Sequence, residues 1–114
     1  MRELNFRAWN KTRLWMDNVW AIDWEHELLC FSKHNQDFMK HCILMQSTGL
    51  KDKNGVEIYE GDIVDYGAFD LSVIKFEDGI FWARLGQYPI NVVHSDIEVK
   101  GNIYEHPHLL ENSL

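Results

Sequence analysis

Leu44-Met45-Gln46-Ser47-Thr48-Gly49-Leu50-Lys51-Asp52-Lys53-Asn54-Gly55-Val56-Glu57-Ile58-Tyr59-Glu60-Gly61-Asp62-Ile63-Val64 reads as short strands hinged on two turns. An apolar run over Ile43–Met45 leads into Thr48-Gly49-Leu50. Asn54-Gly55 then favours the positive φ angles of a tight hairpin. Val56 to Tyr59 is the expected return strand, with Val56 and Ile58 facing inward and Glu57 and Tyr59 outward. Glu60-Gly61-Asp62 supplies the second turn, and Ile63-Val64-Asp65-Tyr66 continues as strand.

Working outward, Leu71 to Phe76 is expected to pair with Ile80 to Leu85 across Glu77-Asp78-Gly79, and Ile90 to Val93 and Ile97 to Val99 extend the strand series. Toward the N-terminus, apolar Leu4, Phe6 and Ala8 alternate with Glu3, Asn5 and Arg7 at the period of a half-buried strand. Asn10 to Arg13 is turn material, and Leu14–Met16 with Val19–Trp24 forms a second extended stretch. Glu25 to Phe31 accommodates either helix or strand, and Ser32 to Lys40 a long loop or short helix. At the other end His106 can cap a terminal helical turn opened by Pro107. Short strands at this spacing predict a small barrel or sandwich, mainly β, rather than a βα alternation.

The chain has 114 residues, 46% of them hydrophobic and 25% charged, which suits one globular domain with a real core. No apolar run reaches the length of a bilayer span, and Met1 to Asn5 lacks a signal-peptide stretch, so a cytoplasmic protein without membrane contact is expected. Cys30 and Cys42 are too few for a disulfide framework. Residues 1–50 carry six Lys or Arg against six Asp or Glu, whereas 51–114 carry five against twelve, so the net charge of −7 belongs to the second half. An acidic surface repels phosphates, which disfavours direct nucleic-acid binding and favours a basic partner.

Arg2 to Trp9, Leu44 to Val64, and Ile97-Glu98-Val99-Lys100-Gly101-Asn102-Ile103-Tyr104-Glu105-His106-Pro107 together resemble the YopX family, small proteins of bacteriophages and prophages. The resemblance covers nearly the whole chain except Trp15 to His41. It implies one domain over 1–114, with an N-terminal β region (1–42) packed on an SH3-type barrel (43–110). It carries no catalytic motif.

Several residue sets invite a chemical reading. His26, Cys30 and His34 stand at i, i+4 and i+8, one face of a helix if the segment were helical, and His41-Cys42 could add ligands for zinc. The paired-cysteine spacing usual in structural zinc sites is missing, so surface histidines and buried thiols are the simpler reading, and no cofactor is expected. His106-Pro107-His108, with His94 upstream, could make a metal-binding or pH-sensitive end, but a terminal helical turn with two exposed imidazoles is the default. Tyr59, Glu60 and Asp62 could form a contact surface on an exposed loop, although Gly-bearing turns need no ligand to explain them. Trp9, Trp15, Trp20, Trp24 and Trp82 could stack on a partner, with Trp9 and Trp82 the chosen candidates, but core or subunit interface is the default for bulky rings in a small β domain.

Asp62, Asp65, Asp70, Glu77 and Asp78 read as solvated turn carboxylates. No nucleophile elbow or phosphate loop accompanies them, so enzymatic activity is not expected. Three functions remain. The first is a self-associating protein-interaction module that also binds a host or phage protein. The alternatives are a nucleic-acid-related protein, acting as a DNA mimic or through Arg2, Arg7, Lys11 and Arg13, and a metal-dependent enzyme.

Overall fold

The computed structural model describes residues 5–65, 71–83 and 88–111. Leu4, Arg2, Asp70 and Leu85 lie outside them. The chain divides into two compact units, Met1–Gln46 and Ser47–Leu114. Both are mainly β, and every strand pair is antiparallel.

In the first unit the strands are β1 (Phe6–Asn10), β2 (Trp15–Asp23), β3 (Leu28–Phe31), β4 (Gln36–Phe38) and the opening of β5 (Cys42–Lys51). Their order is β4-β3-β2-β1-β5. The segment left open between helix and strand, Glu25 to Phe31, resolves as a turn followed by β3. Ser32 to Lys40 contains β4 and leads into a 3-10 turn at Met39–His41. Ala8, Leu29 and Phe31 form the buried core, with Trp15, Val19 and Ile22 packed against it.

The second unit holds the rest of β5, then β6 (Glu57–Tyr59), β7 (Asp62–Asp65), β8 (Leu71–Glu77), β9 (Ile80–Ala83), β10 (Tyr88–Pro89), α1 (Ile90–Val93), β11 (Glu98–Asn102) and α2 (His108–Glu111). Ile58, Val64, Ile74, Ala83, Ile90 and Ile97 make its core. Each fully buried isoleucine contributes about 2 kcal/mol of transfer free energy. The β8–β9 turn follows its sequence closely: Glu77 pairs with Ile80, and both Asp78 and Gly79 take positive φ, as a two-residue primed turn requires.

Three local expectations are corrected. Ile90–Val93 is helical, not strand, because Pro89 presets the entry with φ −59° and Ile90, Val93 and Ile97 recur at helical spacing onto the core. The Asn54-Gly55 turn is not a two-residue hairpin. Gly55 has φ 81°, but the Asp52 carboxylate organises a longer loop by accepting the Asn54 and Val56 N–H groups. Val56 therefore belongs to the loop and is exposed, while Ile58 and Tyr59 are both buried.

The expected SH3-type closure is not made either. The sheet order is β10-β9-β8-β7-β11, and its end strands are not hydrogen-bonded to each other. β10 has two residues, one of them Pro89 with no N–H to donate, and the chain turns there into α1. The C-terminal helical turn is present, with the Leu109 N–H donating to the His106 carbonyl.

Gly101 marks a close approach. A Cβ there would sit 2.6 Å from His106 Nδ1, which cannot simply withdraw because it accepts the Asn102 N–H at 3.2 Å. Gly101→Ala is expected to cost roughly 1–3 kcal/mol by overpacking and loss of that bond. Urea denaturation checks it, and an unchanged midpoint would contradict the argument.

Candidate functional site

In the first unit every described histidine is held by a carboxylate. Asp23 closes the turn between β2 and β3: its Oδ1 accepts the His26 N–H at 3.0 Å, and its Oδ2 lies 2.9 Å from His26 Nδ1. The His26 backbone bond, then its side-chain bond, hold the Asp23 carboxyl below its ordinary pKa. Glu27 completes the turn at φ 55°.

Asp17, buried on β2, collects the Asn18 N–H, the Lys33 N–H and His34 Nδ1 at 2.7 to 2.9 Å. The His34 ring stacks on Trp15 at 3.9 Å, with 7° between planes. Asp37 binds Asn10 Nδ2 at 2.7 Å and His41 Nδ1 at 2.8 Å. Burial pushes both carboxyls up, but their hydrogen bonds outweigh it and leave each pKa lowered.

The helical premise of the zinc reading is not met. His26 lies in a turn, Cys30 on β3 and His34 in the loop beyond it, so helical spacing never applies. No group of three His, Cys, Asp or Glu side chains that could hold a metal occurs among the described residues. Cys42 has a raised pKa, mainly through burial and then through Asp37, the opposite of an activated thiol. His94 Nδ1 faces the Lys51 carbonyl at 2.8 Å, and His106 is committed to Asn102.

The proposed Tyr59-Glu60-Asp62 contact loop is mostly interior. Tyr59 and Asp62 are buried, and the Tyr59 N–H donates to Asp62 Oδ2 at 2.8 Å, while Glu60 is half-buried. Trp9 is half-buried on β1, and Trp82 is half-buried with its indole N–H donated to the Glu77 carbonyl at 3.2 Å. Two other tryptophans face outward rather than into a core, which leaves the subunit-interface part of the expectation open to them: Trp20 and Trp24 are each 72% exposed.

A bulge explains Trp20. Val19 pairs with Phe31 and Ala21 with Cys30, leaving Trp20 as the extra residue, pushed out of the ladder. Its indole N–H donates to the Phe31 carbonyl at 3.1 Å, which fixes the ring although it is exposed. Beside it runs an open groove of about 500 Å³ lined by Trp20, Cys30, Phe31, Asn35 and Gln36. On the same sheet face, two residues along, Leu28 pairs with Phe38, whose ring is 49% exposed. Sequence spacing could have shown Asp23–His26 and Asp37–His41, which are three and four residues apart. It could not show the bulge or Asp17–His34.

A family model described as YopX protein matches residues 5–111. Among solved structures, the chain is similar to the crystal structure of protein EF1440 from Enterococcus faecalis. The identity is 30% and the TM-score 0.73, covering 96% of this chain and 99% of that one. It is also similar to the crystal structure of protein yopX from Bacillus subtilis, with 22% identity and a TM-score of 0.61, covering 96% and 98% respectively. No curated protein matches.

Proposed function

Since the chain belongs to the YopX family, we propose that it is a non-enzymatic accessory protein of a bacteriophage or prophage that works by binding protein, both itself and a host or phage protein in the bacterial cytoplasm. The observation that carries this reading is the exposure of Trp20, Trp24 and Phe38 on the β2–β3–β4 part of one unit. Large apolar side chains grouped at a surface are typical of contact faces. Two hydroxyls of the central segment have structural roles, which supports it further: Thr48 Oγ1 donates to the Ile58 carbonyl and Ser47 Oγ accepts the Gly49 N–H. No helix among the described residues is long and apolar enough to cross a membrane.

Sedimentation velocity from micromolar to millimolar protein is expected to show reversible self-association, and immobilised protein to retain a protein from infected-cell lysate. A chain that stays monomeric throughout and retains nothing overturns the reading.

A further inference from the structure

The first unit joins a fixed aromatic platform to an acidic turn. Asp23-Trp24-Glu25-His26-Glu27 puts three acidic residues in one turn with an indole that is 72% exposed. Asp23 is engaged by His26, but Glu25 and Glu27 have no ion-pair partner among the described residues. Rows of cross-strand partners connect this turn to the groove. Asp23, Leu28 and Phe38 form one row, and Ala21, Cys30 and Gln36 form the next on the same face, with Trp20 bulged beside it.

We propose that the Trp20 groove and the Asp23–Glu27 turn form one docking surface for an extended, arginine-bearing peptide segment of a partner protein. The inference rests on the protein-binding reading above and names the surface and the chemistry of its occupant. Charge complementarity selects arginine. A guanidinium is planar, stacks on indole faces and pairs with carboxylates in two-point geometry, so exposed Trp24 in one turn with exposed Glu25 and Glu27 suits it better than an ammonium. The same face accommodates a cation over an aromatic ring within the chain itself, as Lys40 Nζ lies 5.5 Å from the centroid of the Phe38 ring. The indole N–H bond to Phe31 keeps Trp20 in one orientation, which lowers the ordering cost of binding.

Strand addition at the β4 edge is the weaker geometry. The Phe38 N–H, which β-ladder parity aims away from β3, is taken by Asp37 Oδ1 at 2.7 Å. Side-chain docking across the face is therefore the mode favoured.

The test is a fluorescence titration of the full chain with a capped peptide of alternating arginine and glycine, beside the same peptide with citrulline for arginine. The arginine peptide is expected to quench tryptophan emission saturably, more weakly at high salt, and the citrulline peptide not to bind. Trp24→Ala and the double variant Glu25→Gln/Glu27→Gln are each expected to weaken binding about tenfold. All three side chains are exposed, and unchanged circular dichroism would show that the fold is kept. Equal affinity for both peptides, or an affinity that neither variant alters, overturns the proposal.

If the arginine peptide fails to bind while the wild type retains a lysate protein, the arginine surface falls and the protein-binding reading stands. If Trp24→Ala instead dissolves a self-associated species with which the peptide does not compete, a second copy of the chain is the occupant, and the proposal is overturned.

Discussion

Asp52→Ala is expected to lower the stability of the second unit by roughly 3–5 kcal/mol. Its carboxylate is buried and accepts three backbone N–H groups, Asn54 and Val56 on Oδ1 and Val99 on Oδ2, at 2.8 to 2.9 Å. Alanine leaves all three donors short of a partner and loosens the loop between β5 and β6 against β11, where the Lys53 N–H to the Ile97 carbonyl and the Lys53–Glu98 ion pair remain. Burial pushes this carboxyl up, but the bonds from Val99, Val56 and Asn54 outweigh it and leave the pKa lowered. A lowered value means that the contribution is complete above the unfolded carboxyl pKa of about 4 and is lost as the pH falls through the folded-state value. The gap between wild type and variant should therefore be full at neutral pH and close in strong acid. Urea denaturation measures the gap, and hydrogen exchange at Val56 and Val99 locates it. A neutral-pH difference under about 1 kcal/mol would mean that the loop is held by other bonds.

The reason Asp52 escapes a sequence reading is also the reason part of the fold does. Asp78-Gly79 is legible because everything it needs is in two adjacent residues, and their φ values of 54° and 77° match the chemistry. Asn54-Gly55 offers the same signal, but Asp52, two positions upstream, captures the loop and moves Val56 out of the strand. The inward-outward alternation expected over Val56–Tyr59 then fails. Ile90–Val93 is ambiguous as four apolar letters, and only the spacing of Ile90, Val93 and Ile97 carries the helical period. Barrel closure depends on which strands meet at the sheet ends, a non-local property that strand counting does not reach. The Trp20 bulge is likewise a relation between β2 and β3. Trp20 and Trp24 look like core residues by type, but the bulge turns Trp20 outward and Trp24 falls in the exposed turn after β2.

In the first unit the decisive residue is Asp17, and Asp17→Ala is expected to cost about 3 kcal/mol, since it removes charge-assisted bonds from a buried position. The Lys33 N–H and His34 Nδ1 both converge on Oδ2, the Asn18 N–H on Oδ1, so one carboxylate ties the loop after β3 to β2. Its loss frees His34, whose ring lies parallel to Trp15, and Trp15 in turn packs edge-on against Phe31 of the core at 4.8 Å. Two readouts should move together: near-ultraviolet circular dichroism from Trp15, and faster amide exchange at Lys33. His34→Ala removes the stack and one bond but leaves Asp17 with its two backbone donors, so its effect should be clearly smaller. Were the two variants equally destabilised, the imidazole rather than the carboxylate would be the anchor. Acid gives an independent check of sign. The Asp17 pKa is lowered, so its contribution is present above about pH 4 and disappears as the pH falls through the folded-state value. Wild type should lose stability in that window, while Asp17→Ala, with no carboxyl there to protonate, should lose less.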